Sequence, residues 1–464
     1  MAERTRFSYN EDLSDERTLM RRKIDSALAQ WARTKADRPL LVRGARRVGK
    51  TYCVKELGRS AFGVGRFAYC DFQTNLDQLN TIFSGTTEVE RIVSDLSLFL
   101  RMDIVPEETL IAFDEIQLSE KALNSLRFFA GSGYRVIATG SQLGLTLRDR
   151  TLPFPSDVDH LYLRPLDFEE FLWALGQEKM ADGIRSCFVD RRAFVLHDDA
   201  LDLYRRYLVV GGMPKAVSCY AQNGDYEEIR TLQAEINQTY IADIALYAPP
   251  EESVRIQAVW ASIPKQLARE TTRKFKYADV SKGGRERQYR APLAWLEAAE
   301  LVTLNPQTND TTAPLVARDG GSFFKAYLLD TGLMFFRYNL DAQIFLDDEA
   351  RGLLSANFRG ALAENYAMQA LTANNLETFY WTPGTTAQQE VEFVVQNRRG
   401  RIIPIEVKSG DNVRSRSLAA FMEKSKAPCA LRLSAKNFGM TDRVFSVPLY
   451  AAFCIDEQAL MQID

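Results

Sequence analysis

The segment from residue 44 to residue 51 constrains this chain more than any other part of its sequence. It reads Gly-Ala-Arg-Arg-Val-Gly-Lys-Thr and fits G-x-x-x-x-G-K-[ST] in full. An apolar run at residues 39–42 precedes it and a helical pattern follows it, which is the strand–turn–helix context that this motif requires. Such a loop wraps its backbone N–H groups around phosphate. A chance glycine turn is the alternative, and the context argues against it.

Further short apolar runs, at residues 66–72, 110–113 and 134–139, are rich in β-formers and bounded by polar residues. Together with the run at 39–42 they predict a parallel sheet covered by helices. The run at 110–113 ends in Asp114 and Glu115. Two acids at a strand end are common, but after a complete phosphate loop they form the Walker B pattern. The pair of motifs predicts a site for ATP and Mg²⁺.

The two motifs assign roles to their residues. The loop residues predicted to bind the nucleotide are Gly44, Ala45, Arg46, Arg47, Val48, Gly49, Lys50 and Thr51. Lys50 is expected to reach the β- and γ-phosphates, and Thr51 and Asp114 to hold Mg²⁺. Glu115 is expected to polarise the attacking water. These assignments predict ATP hydrolysis.

The run at 134–139 ends in Thr139, Gly140 and Ser141, which would place a small hydroxyl or amide beside the Walker B strand, where a sensor of the γ-phosphate would lie. A plain Gly-Ser turn explains the same residues equally well. Arg148 and Arg150 follow and are candidates for an arginine finger across a subunit boundary. Exposed arginines are more often simply solvated, and this remains the alternative.

At 464 residues the chain exceeds a single hydrophobic core, so we expect several domains. The divisions predicted are 1–155 for the ATPase core, 156–250 for a helical lid, 251–345 for a winged-helix segment and 346–464 for a terminal α/β module. Net charge is −3, which gives no global attraction to nucleic acid. The six cysteines are scattered and no run is long and apolar enough for a membrane span, so we expect a cytoplasmic protein with reduced thiols and no membrane partner.

Five elements occur in the order GARRVGKT, LIAFDEIQ, VIATGSQ, LRPLDFEEF and GGMP. In this order they resemble the bacterial and archaeal predicted AAA-type ATPases that carry a C-terminal domain of uncharacterised function with a restriction-endonuclease-like core. The resemblance implies an AAA core with a helical lid, a winged-helix segment and a PD-(D/E)xK-like module. It also implies that Pro214 lies near the adenine and that the chain forms homo-oligomers. These relatives usually carry a longer segment before a Gly-Arg pair, whereas Arg148 and Arg150 come sooner and lack that glycine.

The terminal module contains carboxylates in a pattern that could hold a metal. Glu406 and Lys408 lie two apart on one predicted strand and face the same side, and Glu392 lies on the preceding strand. With Glu364 on the helix before them, they could hold Mg²⁺ and activate water for cleavage of nucleic acid. Similarity to the PD-(D/E)xK pattern places Glu392 where aspartate is usual. The alternative is a salt-bridged strand face.

A local excess of positive charge lies between residues 265 and 290. The cations are Lys265, Arg269, Arg273, Lys274, Lys276, Lys282, Arg285, Arg287 and Arg290, against Glu270, Asp279 and Glu286. With Tyr277 and Tyr289 interleaved, this stretch could contact phosphates of nucleic acid, with DNA favoured over RNA. A solvated or subunit-facing charged surface is the alternative.

Two functions follow as hypotheses. In the first, an ATP-dependent protein acts on nucleic acid, and nucleotide state controls a nuclease-like end. In the second, a regulatory NTPase switch carries a catalytically inactive nuclease-like domain that binds a protein partner. The fold expected for both is α/β and multidomain.

Overall fold

The computed structural model describes residues 20–34, 38–141, 157–269, 273–384, 389–410 and 416–463. The candidate fingers Arg148 and Arg150 lie outside these described residues. Within them, the chain forms a parallel sheet near the N-terminus and a mixed sheet near the C-terminus, with helices on and between the two.

The first sheet is parallel throughout. Its strands are β1 (Leu40–Arg43), β2 (Phe67–Asp71), β3 (Leu110–Asp114), β4 (Arg135–Gly140) and β5 (Asp159–Tyr162). They are ordered β2-β3-β4-β1-β5. Strand β3 is buried along its whole length because helices cover both faces of the sheet. The four predicted strands are therefore confirmed.

Strand β5 was not predicted and lies beyond residue 155. It pairs with β1 at the edge of the sheet, and its side chains are largely exposed. An exposed edge strand carries no apolar run, so it has no sequence pattern by which it could be recognised. The parallel sheet consequently extends past the boundary predicted for the ATPase core.

Helices flank this sheet and continue beyond it. Those around the sheet are α1 (Ile24–Arg33), α2 (Lys50–Leu57), α3 (Leu76–Gly85), α4 (Val89–Leu100) and α5 (Glu120–Phe129), with a π turn at Gly58–Phe62 and a 3-10 turn at Ile116–Leu118. Those that follow are α6 (Phe168–Ala174), α7 (Glu178–Asp190), α8 (His197–Val210), α9 (Pro214–Asn223) and α10 (Tyr226–Tyr247). A capping box of Asp167 and Glu170 fixes the start of α6.

The second sheet is mixed. Its strands are β6 (Val302–Thr308), β7 (Asp319–Leu328), β8 (Thr378–Trp381), β9 (Val391–Gln396), β10 (Ile402–Val407), β11 (Ala430–Ser434), β12 (Gly439–Thr441) and β13 (Val444–Pro448). They are ordered β12-β13-β11-β10-β9-β8-β6-β7. The hairpin of β6 and β7 joins this sheet through a parallel pairing of β6 with β8. One sheet therefore spans the predicted division between residues 345 and 346.

The remaining helices lie around this second sheet. They are α11 (Pro250–Arg269), α12 (Glu286–Ala298), α13 (Thr331–Arg337), α14 (Ala342–Leu346), α15 (Asp348–Leu353), α16 (Ala356–Ala373), α17 (Arg416–Ser425) and α18 (Glu457–Gln462), with 3-10 turns at Tyr277–Asp279, Leu315–Arg318 and Leu449–Cys454. Helix α16 is buried from Ala361 to Leu371, and it packs against β7, β10, α11 and α13. This helix is central to the C-terminal half.

Two sequence expectations concern the whole chain. All six cysteines are buried, as predicted for core thiols, and none of them forms a disulfide within the described part of the chain. None of the helices in the described part of the chain combines the length and the apolar character that a membrane crossing requires.

Candidate nucleotide and carboxylate sites

The phosphate loop connects β1 to α2. Gly44 and Gly49 adopt φ of 153° and 100°, and a side chain at Gly44 would meet the Leu163 carbonyl oxygen at 2.2 Å. Both positions therefore require glycine. Helix α2 begins at Lys50, directly after the left-handed Gly49, so its N-terminus opens onto the loop. This places a helix N-terminus where phosphate is expected to bind.

Lys50 is 4% exposed, and its Nζ donates to the carbonyl oxygens of Gly44 and Ala45 at 2.9 and 2.8 Å. Burial lowers the pKa of this ammonium group, while the nearby Glu115 raises it. Thr51 Oγ1 donates to the two oxygens of Asp114 at 3.0 and 2.9 Å. The structure thus brings Lys50, Thr51 and Asp114 together across α2 and β3, as the two motifs require.

Asp114 has two further neighbours, of which the sequence reasoning named Thr139, beside Ser141, but did not name Tyr69. Tyr69 on β2 donates its hydroxyl to Asp114 Oδ2 at 2.6 Å, and Thr139 on β4 donates to Oδ1. Both residues lie near the end of a strand beside β3, and that position is the signal by which Tyr69 could also have been found. The partners of Asp114 that these contacts identify are all neutral hydroxyls.

Glu115 lies immediately after β3 in a left-handed conformation, with φ of 53°. Ser141 Oγ donates to Glu115 Oε2 at 3.0 Å, and Gln117 Nε2 donates to the same oxygen at 2.5 Å. The Glu115 backbone N–H donates to Thr139 Oγ1 at 3.1 Å. The predicted sensor Ser141 therefore contacts the predicted water-polarising acid, and Gln117 is an unpredicted third member of this group.

Side chains from distant segments surround the loop. Arg22 Nη1 donates to the Val48 carbonyl at 3.0 Å, and Arg22 Nε pairs with Glu170 at 3.0 Å. Pro214 lies beside Gly49, since its Cγ would be 3.5 Å from a Cβ added there. These contacts bring the N-terminal segment, the start of α6 and the GGMP turn to one end of the parallel sheet.

Helix α10 covers the other side of the loop. Arg46 pairs with Asp243 at 2.5 Å, and Tyr240 donates its hydroxyl to the Arg46 carbonyl at 2.9 Å. Arg47 is exposed and holds φ of 64°. Of the loop residues predicted to bind nucleotide, Arg46 therefore already has a carboxylate partner.

The residues at this end of the sheet fit ATP and Mg²⁺. The loop has its two obligatory glycines, a helix N-terminus and a lysine that donates to two carbonyl oxygens. Thr51 and Asp114 supply the hydroxyl and carboxylate oxygens that Mg²⁺ prefers. The site can thus bind a phosphate chain with its metal, and Glu115 is placed beside it.

The C-terminal carboxylates form a second cluster. Lys408 Nζ lies 2.7 Å from Glu406 Oε1 and 3.4 Å from Glu392 Oε1. The Val407 backbone N–H donates to Glu392 Oε2 at 3.2 Å. Burial raises the pKa of Glu392 to about 7, and Glu364 and Glu406 add to the rise against the opposing effect of Lys408. The structure brings the predicted pair of strands together as a salt-bridged face.

Glu364, on α16, meets cations that the sequence reasoning placed elsewhere or did not name. Arg273 Nη1 pairs with Glu364 Oε1, and Lys325 Nζ lies 3.3 Å from Oε2. Tyr327 donates its hydroxyl to the same Oε2 at 3.0 Å. Lys325 also pairs with Glu390 at 2.5 Å. Lys325 lies inside the apolar run of β7. A lysine in such a run indicates a buried residue with a charged partner, so this contact could have been predicted.

As arranged, these carboxylates do not fit a divalent cation. Glu364, Glu392 and Glu406 each face a positively charged side chain of the same protein. Within the described residues, no group of three or more His, Cys, Asp or Glu side chains is arranged to hold a metal ion.

Two expectations for the basic stretch are corrected. Tyr289 is buried and its hydroxyl meets Ser281 at 2.8 Å, so it does not belong to an exposed surface that could contact phosphates. The side chain of Arg273 is 11% exposed and belongs to the carboxylate cluster. Apolar periodicity along α12 explains the first burial, whereas the ion pair with a residue 91 positions away explains the second. The cations that remain exposed are Lys265, Arg269, Lys276, Lys282, Arg285, Arg287 and Arg290.

The parallel sheet and the phosphate loop define a P-loop NTPase core, and comparison with known families narrows this class. Residues 36–172 match the family described as AAA domain. Residues 201–343 match Domain of unknown function (DUF8612), and residues 359–451 match Domain of unknown function (DUF4143). The matches support an AAA-type ATPase with uncharacterised C-terminal domains, and they support ATPase activity.

Solved structures show distant likenesses. C. elegans PCH-2 is 14% identical with a TM-score of 0.26, over 44% of this chain and 62% of that one. Cdc6p from Pyrobaculum aerophilum is 13% identical with a TM-score of 0.23, over 71% and 93%. Drosophila ORC bound to DNA is 12% identical with a TM-score of 0.22, over 66% and 90%. TM-scores this low support no argument. A search of curated proteins found no significant match.

Proposed function

We propose that this chain binds and hydrolyses ATP, and that its nucleotide state controls the C-terminal module, which acts on nucleic acid. The observation that carries the proposal is a chain of contacts, most of them buried, from the phosphate loop to the carboxylate cluster. ATP hydrolysis itself rests on the AAA domain match and on the geometry of the loop.

Each residue of the nucleotide site has a role in this proposal. The backbone N–H groups of the loop and the Lys50 ammonium bind the phosphates, and Lys50 exchanges two carbonyl partners for phosphate oxygens. Thr51 and Asp114 would hold Mg²⁺, which neutralises charge on the phosphates when bound. Glu115 orients the attacking water and accepts its proton, while Ser141 keeps the Glu115 carboxylate in position.

The contact chain begins at the GGMP turn. Pro214 lies against Gly49 of the phosphate loop. The Gly212 backbone N–H donates to Asp330 Oδ2 at 2.6 Å, and a side chain on Gly212 would meet the Leu166 carbonyl oxygen at 2.0 Å. Gly332 is also closely packed, because a side chain on it would meet Gly211 Cα at 2.6 Å. Backbones in such contact cannot move independently.

The chain continues into α16 through buried polar side chains. Gln369 Nε2 donates to the Tyr207 hydroxyl at 2.8 Å, and Tyr207 donates to the Leu166 carbonyl at 2.5 Å. Thr331 donates its N–H and its hydroxyl to Gln369 Oε1 at 3.0 and 2.8 Å. Five residues earlier on α16 lies Glu364. A shift at the nucleotide site thus has a route to the carboxylates through packing contacts, hydrogen bonds and helix α16.

A cavity of about 200 Å³ lies beside this route. It is lined by Ala45 of the phosphate loop, by Arg164 and by Gln369. Because a cavity permits small displacements that a fully packed interface would resist, it gives Gln369 room to respond when the phosphate loop changes its partners.

Exposed cations on and beside α12 support the nucleic-acid part of the proposal. Arg285, Arg287 and Arg290 lie at the first turns of α12, next to the exposed Lys282. Lysines and arginines grouped on one helix end bind phosphate backbones, and the affinity falls as salt rises. DNA is the preferred class because a helix can enter its major groove, which RNA duplexes close to side chains.

A second function is favoured by the ion pairs of the carboxylate cluster. If Arg273, Lys325 and Lys408 remain on the carboxylates in every state, the module cannot bind a catalytic metal. It would then serve as a binding domain for a protein partner, under the control of the same ATPase. Cleavage assays on single- and double-stranded DNA and RNA with Mg²⁺ separate the two functions. Equal absence of cleavage by the parent and Lys408→Ala, with ATPase activity intact, favours the second.

The control by nucleotide can be tested by hydrogen exchange. We expect backbone exchange in α16 to differ between the complexes with ADP and with a non-hydrolysable ATP analogue. Lys50→Ala should abolish the difference because it removes the phosphate contact, and Gln369→Ala should reduce it while both nucleotides still bind. Gln266→Ala, a buried glutamine on α11, is the matched control. If α16 of the parent exchanges identically in the two complexes, the nucleotide does not control the C-terminal module.

Assembly is a further part of the proposal. AAA-type cores commonly need an arginine from a neighbouring subunit, so we expect homo-oligomers in the presence of ATP. Sedimentation of the Glu115→Gln protein with ATP measures this directly, and a strict monomer would contradict it.

A further inference from the structure

A smaller cavity, of about 80 Å³, lies between helix α8 and the C-terminal module. Its lining includes Tyr204 and three arginines, which are Arg205 on α8, Arg351 on α15 and Arg359 on α16. A water molecule takes up about 30 Å³ of the liquid, so the cavity has room for a group of a few heavy atoms. Pockets that enclose a whole small-molecule ligand start at roughly 300 Å³. A ligand of this cavity therefore inserts one compact group.

The arginines of the cavity carry more positive charge than their carboxylate partner neutralises. Arg205 Nη1 lies 3.4 Å from Asp348 Oδ1, and Arg351 pairs with the same carboxylate. Arg359 Nη1 donates to the carbonyl oxygens of Arg351 and Gly352 at 2.8 and 3.3 Å, and within the described residues Arg359 forms no ion pair. Three guanidinium groups against one carboxylate leave a net charge of +2.

The guanidinium groups lie close enough to repel one another. Burial lowers the pKa of Arg205, and the charge of Arg351 lowers it further, against the opposing effects of Asp348 and of two carboxylates on α8. The Asp348 side chain is 77% exposed, so water screens its attraction to both arginines. Like charges held together in a protein cost free energy, and an anion bound between them offsets this cost.

Tyr204 gives a second, independent indication of a ligand. The residue is 4% exposed, and its hydroxyl is buried without a hydrogen-bond partner among the described residues. Burial raises the pKa of this hydroxyl, so it keeps its proton and stays a donor. The large majority of buried polar side-chain atoms have a partner, so an exception requires an explanation. A ligand oxygen in the cavity would supply the missing acceptor.

The charge and the donors together select the chemistry of the anion. Guanidinium groups bind phosphate oxygens through pairs of parallel hydrogen bonds, and a phosphate offers acceptor oxygens to several donors at once. A phosphate monoester carries a charge of about −1.5 to −2 at pH 7. A phosphodiester within a nucleic-acid strand carries a single negative charge. The monoester therefore matches the net charge of the cavity better.

We propose that this cavity binds the terminal phosphate group of a phosphate monoester. The three arginines bind the phosphate oxygens, and Tyr204 donates its hydroxyl to one of them. The rest of the ligand extends past Ser409, an exposed residue of the lining. Two sources share this chemistry, namely the phosphorylated end of a nucleic-acid strand and a small phosphorylated metabolite. The inference goes beyond the proposed function, because it requires no nucleotide at the phosphate loop.

The test is calorimetric titration of the full chain with inorganic phosphate. All proteins carry Lys50→Ala, because the phosphate loop would otherwise compete for the same ion. We expect Arg205→Met and Arg359→Met each to lower the phosphate affinity at least about tenfold, the size of one lost hydrogen bond between charged groups. Tyr204→Phe keeps the ring and removes only the hydroxyl, and it should lower the affinity by about threefold to tenfold.

Arg206→Met is the matched control. Arg206 follows Arg205 on α8, but it pairs with Asp202 at 2.7 Å and donates to the Tyr220 hydroxyl at 3.2 Å. Its phosphate affinity should equal that of the Lys50→Ala chain. An equal loss in Arg206→Met would overturn the proposal, and so would unchanged affinity in Arg205→Met and Arg359→Met. If Arg359→Met fails to fold, Arg205→Met and Tyr204→Phe still decide the question.

A second set of probes identifies the source of the phosphate. The probes are glycerol phosphate and an oligodeoxynucleotide whose end carries either a phosphate or a hydroxyl. A preference for the phosphorylated oligonucleotide that Arg359→Met abolishes identifies a strand end. Binding of glycerol phosphate that depends on Arg359, without such a preference, identifies a small metabolite. If neither probe depends on Arg359, the monoester is refuted. None of these measurements requires ATP, so they remain decisive whether or not α16 responds to nucleotide.

Discussion

The molecule contains two clusters that combine a lysine with carboxylates at strand ends, and they differ in the partners of those groups. At the phosphate loop, Lys50 donates to two backbone carbonyls and Asp114 accepts from three hydroxyls. In the C-terminal cluster, Lys325 and Lys408 pair directly with carboxylates. Neutral partners can be exchanged for phosphate or Mg²⁺ at small cost, whereas buried ion pairs must first be broken. The comparison teaches that the same residue types can form two kinds of site. With neutral partners they form a ready site, which can bind a ligand directly, and with charged partners they form a closed site, in which ion pairs must break first.

The largest effect expected is on hydrolysis at the ready site. Glu115→Gln keeps the shape of the side chain but removes the carboxylate that accepts a proton from water, so turnover should fall by about 10² to 10⁴. ATP affinity should stay near that of the parent, because the phosphate contacts are intact. Steady-state ATPase rates and equilibrium binding of a fluorescent ATP analogue measure the two quantities. Hydrolysis by Glu115→Gln at the parental rate would contradict the role assigned to Glu115.

The next largest effect is on the free energy of unfolding, which should depend much more on Lys325 than on Lys50. Lys325→Met should lower the unfolding free energy by roughly 3 to 5 kcal/mol, because it leaves Glu364 and Glu390 buried with a partner removed. Lys50→Met should change it by about 1 kcal/mol or less, since only carbonyl contacts are lost. Denaturant unfolding of the two variants provides the comparison. Similar losses in both would remove the distinction between a ready and a closed site.

The smallest effect concerns pH. Burial raises the pKa of Glu392 from 4.5 to about 7, so between these values the folded protein holds this proton more tightly than the unfolded chain. The stability that this proton contributes is complete below pH 4.5 and is lost as the pH rises towards 7. Glu392→Gln removes that loss. Relative to the parent, the variant should gain roughly 1 to 3 kcal/mol between pH 4.5 and 7. Parallel stability curves would show that Glu392 is not perturbed.

Sequence reasoning located the ATP-binding elements because they are local. The phosphate loop, Asp114 and Glu115 follow apolar runs that end at one edge of a parallel sheet, so strand order alone brings them together. Tyr69 was not predicted because a hydroxyl near a strand end carries no pattern of its own, and Thr139 was placed beside the strand of Asp114 without its contact to that carboxylate. Their part in the site depends on which strands flank β3, and this follows from the fold rather than from any short segment.

The C-terminal cluster was predicted only in part, for a different reason. Glu392, Glu406 and Lys408 lie on one hairpin, and their spacing places them on one face. The cations that reach Glu364 come from residues 91 and 39 positions earlier in the chain. Pairings at such separations are fixed by tertiary packing, and a basic stretch looks the same in sequence whether one of its arginines faces solvent or the core. The pairing of β6 with β8 was not predicted for the same reason, because it joins two segments that are far apart in the chain.

That pairing has a practical meaning for anyone who shortens the chain to study its end alone. A fragment beginning at residue 346 would lack β6 and β7, so it would expose the flank of β8 as an aggregation-prone edge and leave Glu364 without Lys325. A fragment that starts upstream of Arg273 retains the whole sheet and its charges. Expression trials, and any dissection of the ATPase from its output, should place the cut there.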